Sequence, residues 1–205
     1  PGIFSNYVAM NGAHVVVDGK TVFEECFSPD EIRKYIEYFD RYGCWYNFVG
    51  NTRGWARHVP EEQIEPLNES YGMPGYLQTD WEPEDVHASL IDFVFQDEAH
   101  YLRCKPAFQK PMVLNKHPGS LAADLSFQGK DKSRGVQIFL KEAGISPEDA
   151  YAIGDGYNDI TMMKVVGHSI AMGNAVEDLK NVAEYVTAGI DDDGIYKACK
   201  HYQLF

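Results

Sequence analysis

The chain has 205 residues, with 18 Lys and Arg against 31 Asp and Glu, which gives a formal net charge of −13 at pH 7. This acidity argues against nucleic acid and against anionic membranes as main partners, because both repel a negative surface. Hydrophobic residues make up 44% and aromatic residues 13% of the chain. Such a composition is typical of a folded protein with a real core and excludes a disordered chain.

The four cysteines, Cys26, Cys44, Cys104 and Cys199, form no C-x-x-C pair. We therefore expect free thiols in a reducing, cytoplasmic compartment. No apolar run approaches the roughly 18 residues needed to span a bilayer, and no basic segment followed by an apolar one marks a signal peptide. The chain begins with Pro1 instead of Met, which suggests a fragment or a processed product. The sequence does not indicate an oligomeric state.

The first 43 residues carry clear local signals. Residues 7–10 are typical of a short buried strand that ends at the turn dipeptide Asn11-Gly12. A β-hairpin is predicted for residues 15–23, because Asp18-Gly19 favours a primed turn. Ser28 precedes Pro29 and lies three residues before Glu31, which predicts a capped amphipathic helix that ends at Gly43.

Residues 44–120 read as one small α+β region. Strands are predicted at 45–49, 54–58 and 90–95, with a helix beginning near Pro60. From Leu121 onward, short strands alternate with helices, and this pattern predicts a parallel sheet with helical crossovers. Ligand sites in such sheets lie beyond the carboxyl ends of the strands. The loop that follows the predicted strand 150–153 is therefore the candidate site.

That loop is the string GDGYND at residues 154–159. Asp155 leaves the strand end, while Asn158 and Asp159 lie near the start of a helix, whose free N–H groups attract anions. Two carboxylates suit Mg²⁺, which keeps several waters and often bridges to a substrate phosphate. A second interpretation is that Asp159 or Asn158 only caps the helix. Lys132, just before an earlier helix, could reach the same crevice and pair with a phosphate, or could be a solvated surface lysine.

Four strings in this order resemble the carboxyl-terminal half of the haloacid dehalogenase superfamily, and more narrowly its Cof-type sugar-phosphatase branch. They are KSRGV at 132–136, GDGYNDITMM at 154–163, AMGNA at 171–175 and DGI at 193–195. The resemblance implies a Rossmann-like α/β core with a parallel sheet, formed by residues 1–14 and 121–205 and incomplete at its N-terminus. Residues 15–120 would form an inserted α+β cap domain.

The resemblance also implies a reaction. In the family an aspartate attacks a phosphate monoester and forms an aspartyl-phosphate that water hydrolyses, with Mg²⁺ neutralising the phosphoryl oxygens. The partner would be a small phosphorylated metabolite. Carried over by position, Asp155 and Asp159 would serve the metal, and Lys132 and Asn158 the phosphate, with all four counted as catalytic. Asn11 and Gly12 would complete the substrate-binding set. For residues 171–175 we expect a packing role, with Asn174 capping the next helix.

One part of the family pattern is missing. The nucleophile belongs to a D-x-D-x-[TV] string at the end of the first core strand, and no such string occurs before the cap. Asp191-Asp192-Asp193 is better explained as a solvated turn at a helix start. We therefore expect that a first core unit, on the order of 60 residues, is absent and that this chain alone is inactive. The alternative is a non-catalytic protein that binds phosphate or a partner.

Substrate specificity would depend on cap side chains. The candidates are Trp45, Tyr46, Arg53, Trp55 and Arg57. Aromatic rings can stack on a sugar and arginine can clamp a phosphate, although a structural role is the simpler expectation for each.

Overall fold

The computed structural model describes residues 4–117, 119–127 and 129–205. The chain divides into two compact units: unit 1 is Pro1–Glu24 with Gly129–Phe205, and unit 2 is Glu25–Gln128. None of the helices formed by the described residues is both long and apolar enough to cross a membrane. None of the four cysteines forms a disulfide, as predicted.

Unit 1 contains two three-stranded sheets. The first is antiparallel and consists of β1 (Tyr7–Ala9), β2 (His14–Val17) and β3 (Lys20–Glu24). The predicted hairpin is confirmed, since Asp18 and Gly19 both have the positive φ that a primed turn requires. In the second sheet, strands β10 (Tyr151–Gly154), β11 (His168–Ala171) and β12 (Tyr185–Val186) pair in parallel, which confirms the parallel sheet.

The helices of unit 1 connect and flank these strands. Helix α4 (Lys132–Ala143) ends at Gly144, which adopts the left-handed conformation that favours glycine. The short helices α5 (Ile160–Met163) and α6 (Glu177–Lys180) follow β10 and β11, and α7 (Gly194–His201) follows β12. A small core, which includes Ala152, Met163 and Leu179, packs between the strands and helices.

Unit 2 is a six-stranded sheet in the order β6-β5-β4-β7-β9-β8. The strands are β4 (Trp45–Val49), β5 (Gly54–Arg57), β6 (Leu77–Gln78), β7 (Leu90–Val94), β8 (Met112–Lys116) and β9 (Ala122–Phe127). The helices are α1 (Pro29–Asp40), α2 (Glu61–Ser70) and α3 (Glu98–Cys104). The capping box of Ser28 and Glu31 forms as predicted.

The two boundaries between the units differ from the predicted ones at 14/15 and 120/121. Strands β2 and β3 continue the sheet that begins with β1, so the hairpin belongs to unit 1. Strand β9 pairs with β7 and β8, so residues 122–127 belong to unit 2. Sequence patterns along the chain do not reveal such pairings, because hydrogen bonds between distant segments decide them. That unit 2 acts as a cap stays a prediction.

Candidate functional site in unit 1

The candidate site forms where β10 ends, as the parallel sheet predicts. Residues 155 and 156 turn away from the strand, and a single helical turn at Tyr157–Asp159 leads into α5. Asp155 is exposed at this edge of the sheet, whereas Asp159 is buried with 5% exposure. The two carboxylates of one loop therefore occupy different environments.

The Asp159 carboxylate organises the loop. Its Oδ2 accepts hydrogen bonds from the backbone N–H groups of Asp155 and Gly156, both at 3.0 Å. Its Oδ1 lies 2.5 Å from Nζ of Lys132, which is the first residue of α4. Burial alone would raise the pKa of Asp159, but the Lys132 ammonium and these two N–H groups hold it below its usual value.

These bonds define a positioning role for Asp159. A carboxylate has about four lone-pair sites, and the Asp159 carboxylate already accepts hydrogen bonds from three donors. Asp159 thus fixes the loop that carries Asp155 and fixes the Lys132 ammonium beside it. Direct metal ligation by Asp159 stays a prediction.

The turn between β1 and β2 reaches the same place. Asn158 donates from Nδ2 to Oδ1 of Asn11 at 3.3 Å, a contact between residues 147 positions apart. Three successive residues, Met10, Asn11 and Gly12, have positive φ, and such sparsely populated conformations cluster at functional sites. The turn therefore places the Asn11 amide beside Asn158, and a role of the two residues in substrate binding stays a prediction.

The backbone of Gly12 packs directly against the backbone at the start of α4. A Cβ on Gly12 would lie 2.4 Å from the carbonyl oxygen of Asp131, the residue that caps α4. A Cβ on Gly135 would lie 2.5 Å from Cα of Gly12. Because neither side chain exists, the 10–12 turn packs directly against the helix that carries Lys132. The structure thus brings the six predicted site residues together. Asp159 contacts Lys132 and the backbone of Asp155, Asn158 contacts Asn11, and Gly12 packs against the residue before Lys132.

One residue of this site, Asn174, was not predicted from the sequence. Asn174, expected to cap the next helix, does not do so: Val176 occupies that position without a side-chain cap. Asn174 instead donates from Nδ2 to Oδ2 of Asp155 at 3.1 Å. The available signal was its position just after β11, because adjacent parallel strands end at the same edge of the sheet.

The late acidic cluster matches its predicted structure. Asp191 and Asp192 lie in a single helical turn, Ile190–Asp192, and Asp193, with a φ of 55°, is the residue immediately before α7. This is a turn at a helix N-terminus, where acidic side chains are favourable.

The donor set fits Mg²⁺. Oδ1 of Asp155 has no hydrogen-bond partner among the described residues, and the side chain is exposed. Mg²⁺ is commonly held by one or two carboxylates, with waters and substrate phosphate completing its octahedral shell. Asp155 therefore offers an available carboxylate on the loop whose Asp159 also holds the Lys132 ammonium, and this set is suited to bind the cation together with a phosphate.

The specificity candidates of unit 2 are largely structural. Tyr46 is fully buried and Trp55 is 6% exposed, and both belong to the core of unit 2. Arg57 donates to Oδ2 of Asp40 at 2.8 Å. These contacts favour the structural interpretation for these three side chains.

The chain is similar to known proteins over nearly its whole length. A family model described as haloacid dehalogenase-like hydrolase matches residues 2–199. The Bacillus subtilis protein named "Putative phosphatase YkrA" is 28% identical over 207 residues, which cover 99% of this chain and 77% of that protein.

Two solved structures are similar over nearly the whole chain. One, described as the HAD subclass IIB sugar phosphatase BT4131, has a TM-score of 0.77 and 26% identity and covers 98% of this chain and 76% of its own. The other, BT1666 from Bacteroides thetaiotaomicron, described among phosphatases of the same superfamily, has a TM-score of 0.78 and 25% identity and covers 99% and 75%. The parallel-sheet core and the family match together establish that this chain belongs to the haloacid dehalogenase-like hydrolases.

Proposed function

We propose that this chain belongs to a Mg²⁺-dependent phosphatase that acts on small phosphorylated metabolites, with sugar phosphates as the substrate class. The observation that carries the proposal is the arrangement at the end of β10. The Lys132 ammonium is fixed by buried Asp159, and the Asp155 carboxylate stands exposed on the same loop. The words phosphatase and sugar phosphatase in the descriptions of YkrA and BT4131 support the same reaction class.

The side chains of this chain bind and orient the phosphate. Lys132 supplies a positive charge whose position Asp159 holds, so that it can pair with a phosphoryl oxygen. Asn158 and Asn11 offer amide groups for the remaining oxygens. Mg²⁺, held by Asp155, would neutralise phosphoryl charge as it develops. Fixed charges of this kind need no reorganisation during the reaction, which is the source of their catalytic effect.

The nucleophile is the part that these residues do not supply. No D-x-D-x-[TV] string occurs in the 205 residues. We therefore assign the aspartyl-phosphate step to an aspartate outside this sequence, and binding and orientation to the residues named above. On this proposal the 205 residues alone release no phosphate from an ester.

The test is phosphate release from p-nitrophenyl phosphate and a panel of sugar phosphates, with and without Mg²⁺. It compares the natural protein that carries this sequence with the 205-residue chain, and each with its Asp155→Asn variant. Asp178→Asn is the matched control, since Asp178 is an exposed aspartate on α6. The proposal expects Mg²⁺-dependent release by the natural protein alone, lost in Asp155→Asn and kept in Asp178→Asn.

Two results would contradict parts of the proposal. Inactivity of the natural protein on every ester, with phosphate still bound, would favour the non-catalytic alternative. Turnover by the 205-residue chain that is abolished in Asp193→Asn would place the nucleophile in the late acidic cluster.

A further inference from the structure

Asn174 lies in the segment between β11 and α6 and uses both ends of its amide, although it is exposed to solvent. Nδ2 donates to Oδ2 of Asp155 at 3.1 Å. Oδ1 accepts from the backbone N–H of Ile190 at 3.0 Å. Asn174 does not cap α6, so its side chain is available for these two bonds.

The two bonds fix which way the amide faces. A backbone N–H can only donate, so the amide oxygen must face Ile190, and a carboxylate can only accept, so the NH₂ group must face Asp155. The flipped amide would place two donors together and two acceptors together. The Ile190 N–H therefore determines that Asn174 offers a donor to Asp155.

The backbone of the Asp155 loop is held to the same segment. The carbonyl oxygen of Asp155 accepts from the N–H of Val176, and that of Gly154 accepts from the N–H of Met172, both at 2.9 Å. With its backbone fixed, the Asp155 side chain keeps only its own rotations, and the bond from Asn174 to Oδ2 restricts these. The other oxygen of Asp155, Oδ1, then faces solvent in a single orientation.

We propose that Asn174 is a positioning residue for the cation site: it holds the Asp155 carboxylate in the orientation that binds Mg²⁺, and the Ile190 N–H holds Asn174. This inference rests on the proposed function. A hydrogen-bond partner that orients a metal ligand raises affinity because the ligand need not be ordered when the metal binds, and loss of such a partner typically weakens metal binding about 10-fold to 100-fold.

A structural role alone would predict something different. If Asn174 only ties the 172–176 segment to the 187–190 segment, its removal lowers the melting temperature and leaves the affinity for Mg²⁺ unchanged. The backbone bond from Gly173 N–H to the carbonyl of Ala188, at 3.0 Å, already joins these segments. We therefore expect the affinity to change more than the stability.

Ile190 allows a second variant that leaves Asn174 in place. It is the first residue of the turn Ile190–Asp192, and the preceding Gly189 has φ −69° and ψ 171°. Proline is favoured at such a first position, and the conformation of Gly189 suits a residue before proline. Ile190→Pro thus removes the N–H that orients Asn174, while Ile190→Ala keeps it and is the matched control, since the side chain is 68% exposed.

The experiment is calorimetric titration of Mg²⁺ into the natural protein and its variants, with melting temperatures measured without Mg²⁺. We expect the dissociation constant to rise about tenfold or more in Asn174→Ala. In Ile190→Pro we expect a rise of about fivefold, the equivalent of one neutral hydrogen bond. The Ile190→Ala variant should bind Mg²⁺ as tightly as the wild type does. The Asp155→Asn variant should bind Mg²⁺ most weakly.

Each other outcome has a defined meaning. Wild-type affinity in both Asn174→Ala and Ile190→Pro overturns the inference and leaves the proposed function standing, provided that Asp155→Asn binds weakly. A lower melting temperature in Asn174→Ala with unchanged affinity in Ile190→Pro also overturns it. Absence of Mg²⁺ binding in the wild type overturns the proposed function and this inference with it.

Discussion

Nζ of Lys132 lies 2.5 Å from Oδ1 of Asp159 and joins the start of α4 to the loop that follows β10. The same carboxylate accepts two backbone N–H groups through Oδ2. One buried side chain therefore sets the position of the candidate phosphate-binding cation and the shape of the loop that carries the candidate metal ligand. The stability of unit 1 and the geometry of the site depend on the same three bonds.

The first prediction concerns this carboxylate. Asp159→Asn should lower the free energy of unfolding at pH 7 by about 2 kcal/mol, because hydrogen bonds to a charged group are lost. The pKa of Asp159 is lower in the folded protein than its ordinary value of 3.8. Its contribution is therefore present above about pH 4 and is lost as the pH falls through the folded-state pKa. Urea unfolding at pH 7 and pH 3 measures both effects.

The pH dependence distinguishes this account from simple repacking. The difference between wild type and Asp159→Asn should shrink at pH 3, because this pH lies below the ordinary pKa of 3.8 and proton uptake by the Asp159 carboxyl then favours the unfolded protein. Asp178→Asn, on the exposed face of α6, should show no such change. A difference of equal size at both pH values would contradict the charge-based explanation.

The second prediction tests the backbone contact below the site. In Gly135→Ala the new Cβ would lie 2.5 Å from Cα of Gly12 and 2.6 Å from Cγ1 of Val8. One element must move, and we expect a loss of about 2 kcal/mol, as in other overpacked positions. Thermal unfolding measures this loss. Gln137→Ala, exposed on the same helix, is the control and should change stability little, because alanine favours helices.

The third prediction separates the Asn11 side chain from its backbone. Asn11 has φ 48° and ψ 36°, a left-handed conformation that glycine adopts without strain. Asn11→Gly should therefore keep the turn and its melting temperature while removing the amide beside Asn158. In the natural protein we expect KM for a phosphate ester to rise several-fold, which corresponds to the free energy of one lost hydrogen bond. Asn11→Ala should lower the melting temperature as well, since alanine is strained there. An unchanged KM in Asn11→Gly would remove Asn11 from the substrate-binding set.

Local signals made parts of this structure predictable. The Ser28 cap and the Asp18-Gly19 turn depend on residues a few positions apart, so the sequence contains all the information they need. The GDGYND loop was found because a parallel sheet places ligands at the carboxyl ends of its strands. The family resemblance then selected Lys132 as its partner.

Other features depend on distant contacts and could not be read from the chain. The bond from Asn174 to Asp155 requires that β10 and β11 be neighbours with matched ends. Strand β9 went unrecognised, because its short pattern gives no clear period, and its pairing moved the boundary of unit 2. The same omission hid the cross-strand pair of Asp92 and Asp124.

The last prediction concerns that pair. Burial, with the nearby charge of Asp124 adding to it, raises the pKa of Asp92 from 3.8 to about 7, although the Tyr71 hydroxyl donates to its Oδ2 at 2.8 Å. An acid with a raised folded-state pKa destabilises the fold as the pH rises from about 4 to about 7. This loss of stability is complete above pH 7.

Asp92→Asn removes the charge and still accepts the Tyr71 hydroxyl. It should therefore stabilise unit 2 at pH 8, by on the order of 3 kcal/mol, and give no gain at pH 4. Urea unfolding at these two pH values measures the effect. Asp80→Asn, at an exposed position of the same unit, should show no pH-dependent gain. An Asp92→Asn variant that is no more stable than the wild type at pH 8 would show that Asp92 is already ionised at little cost in the folded protein.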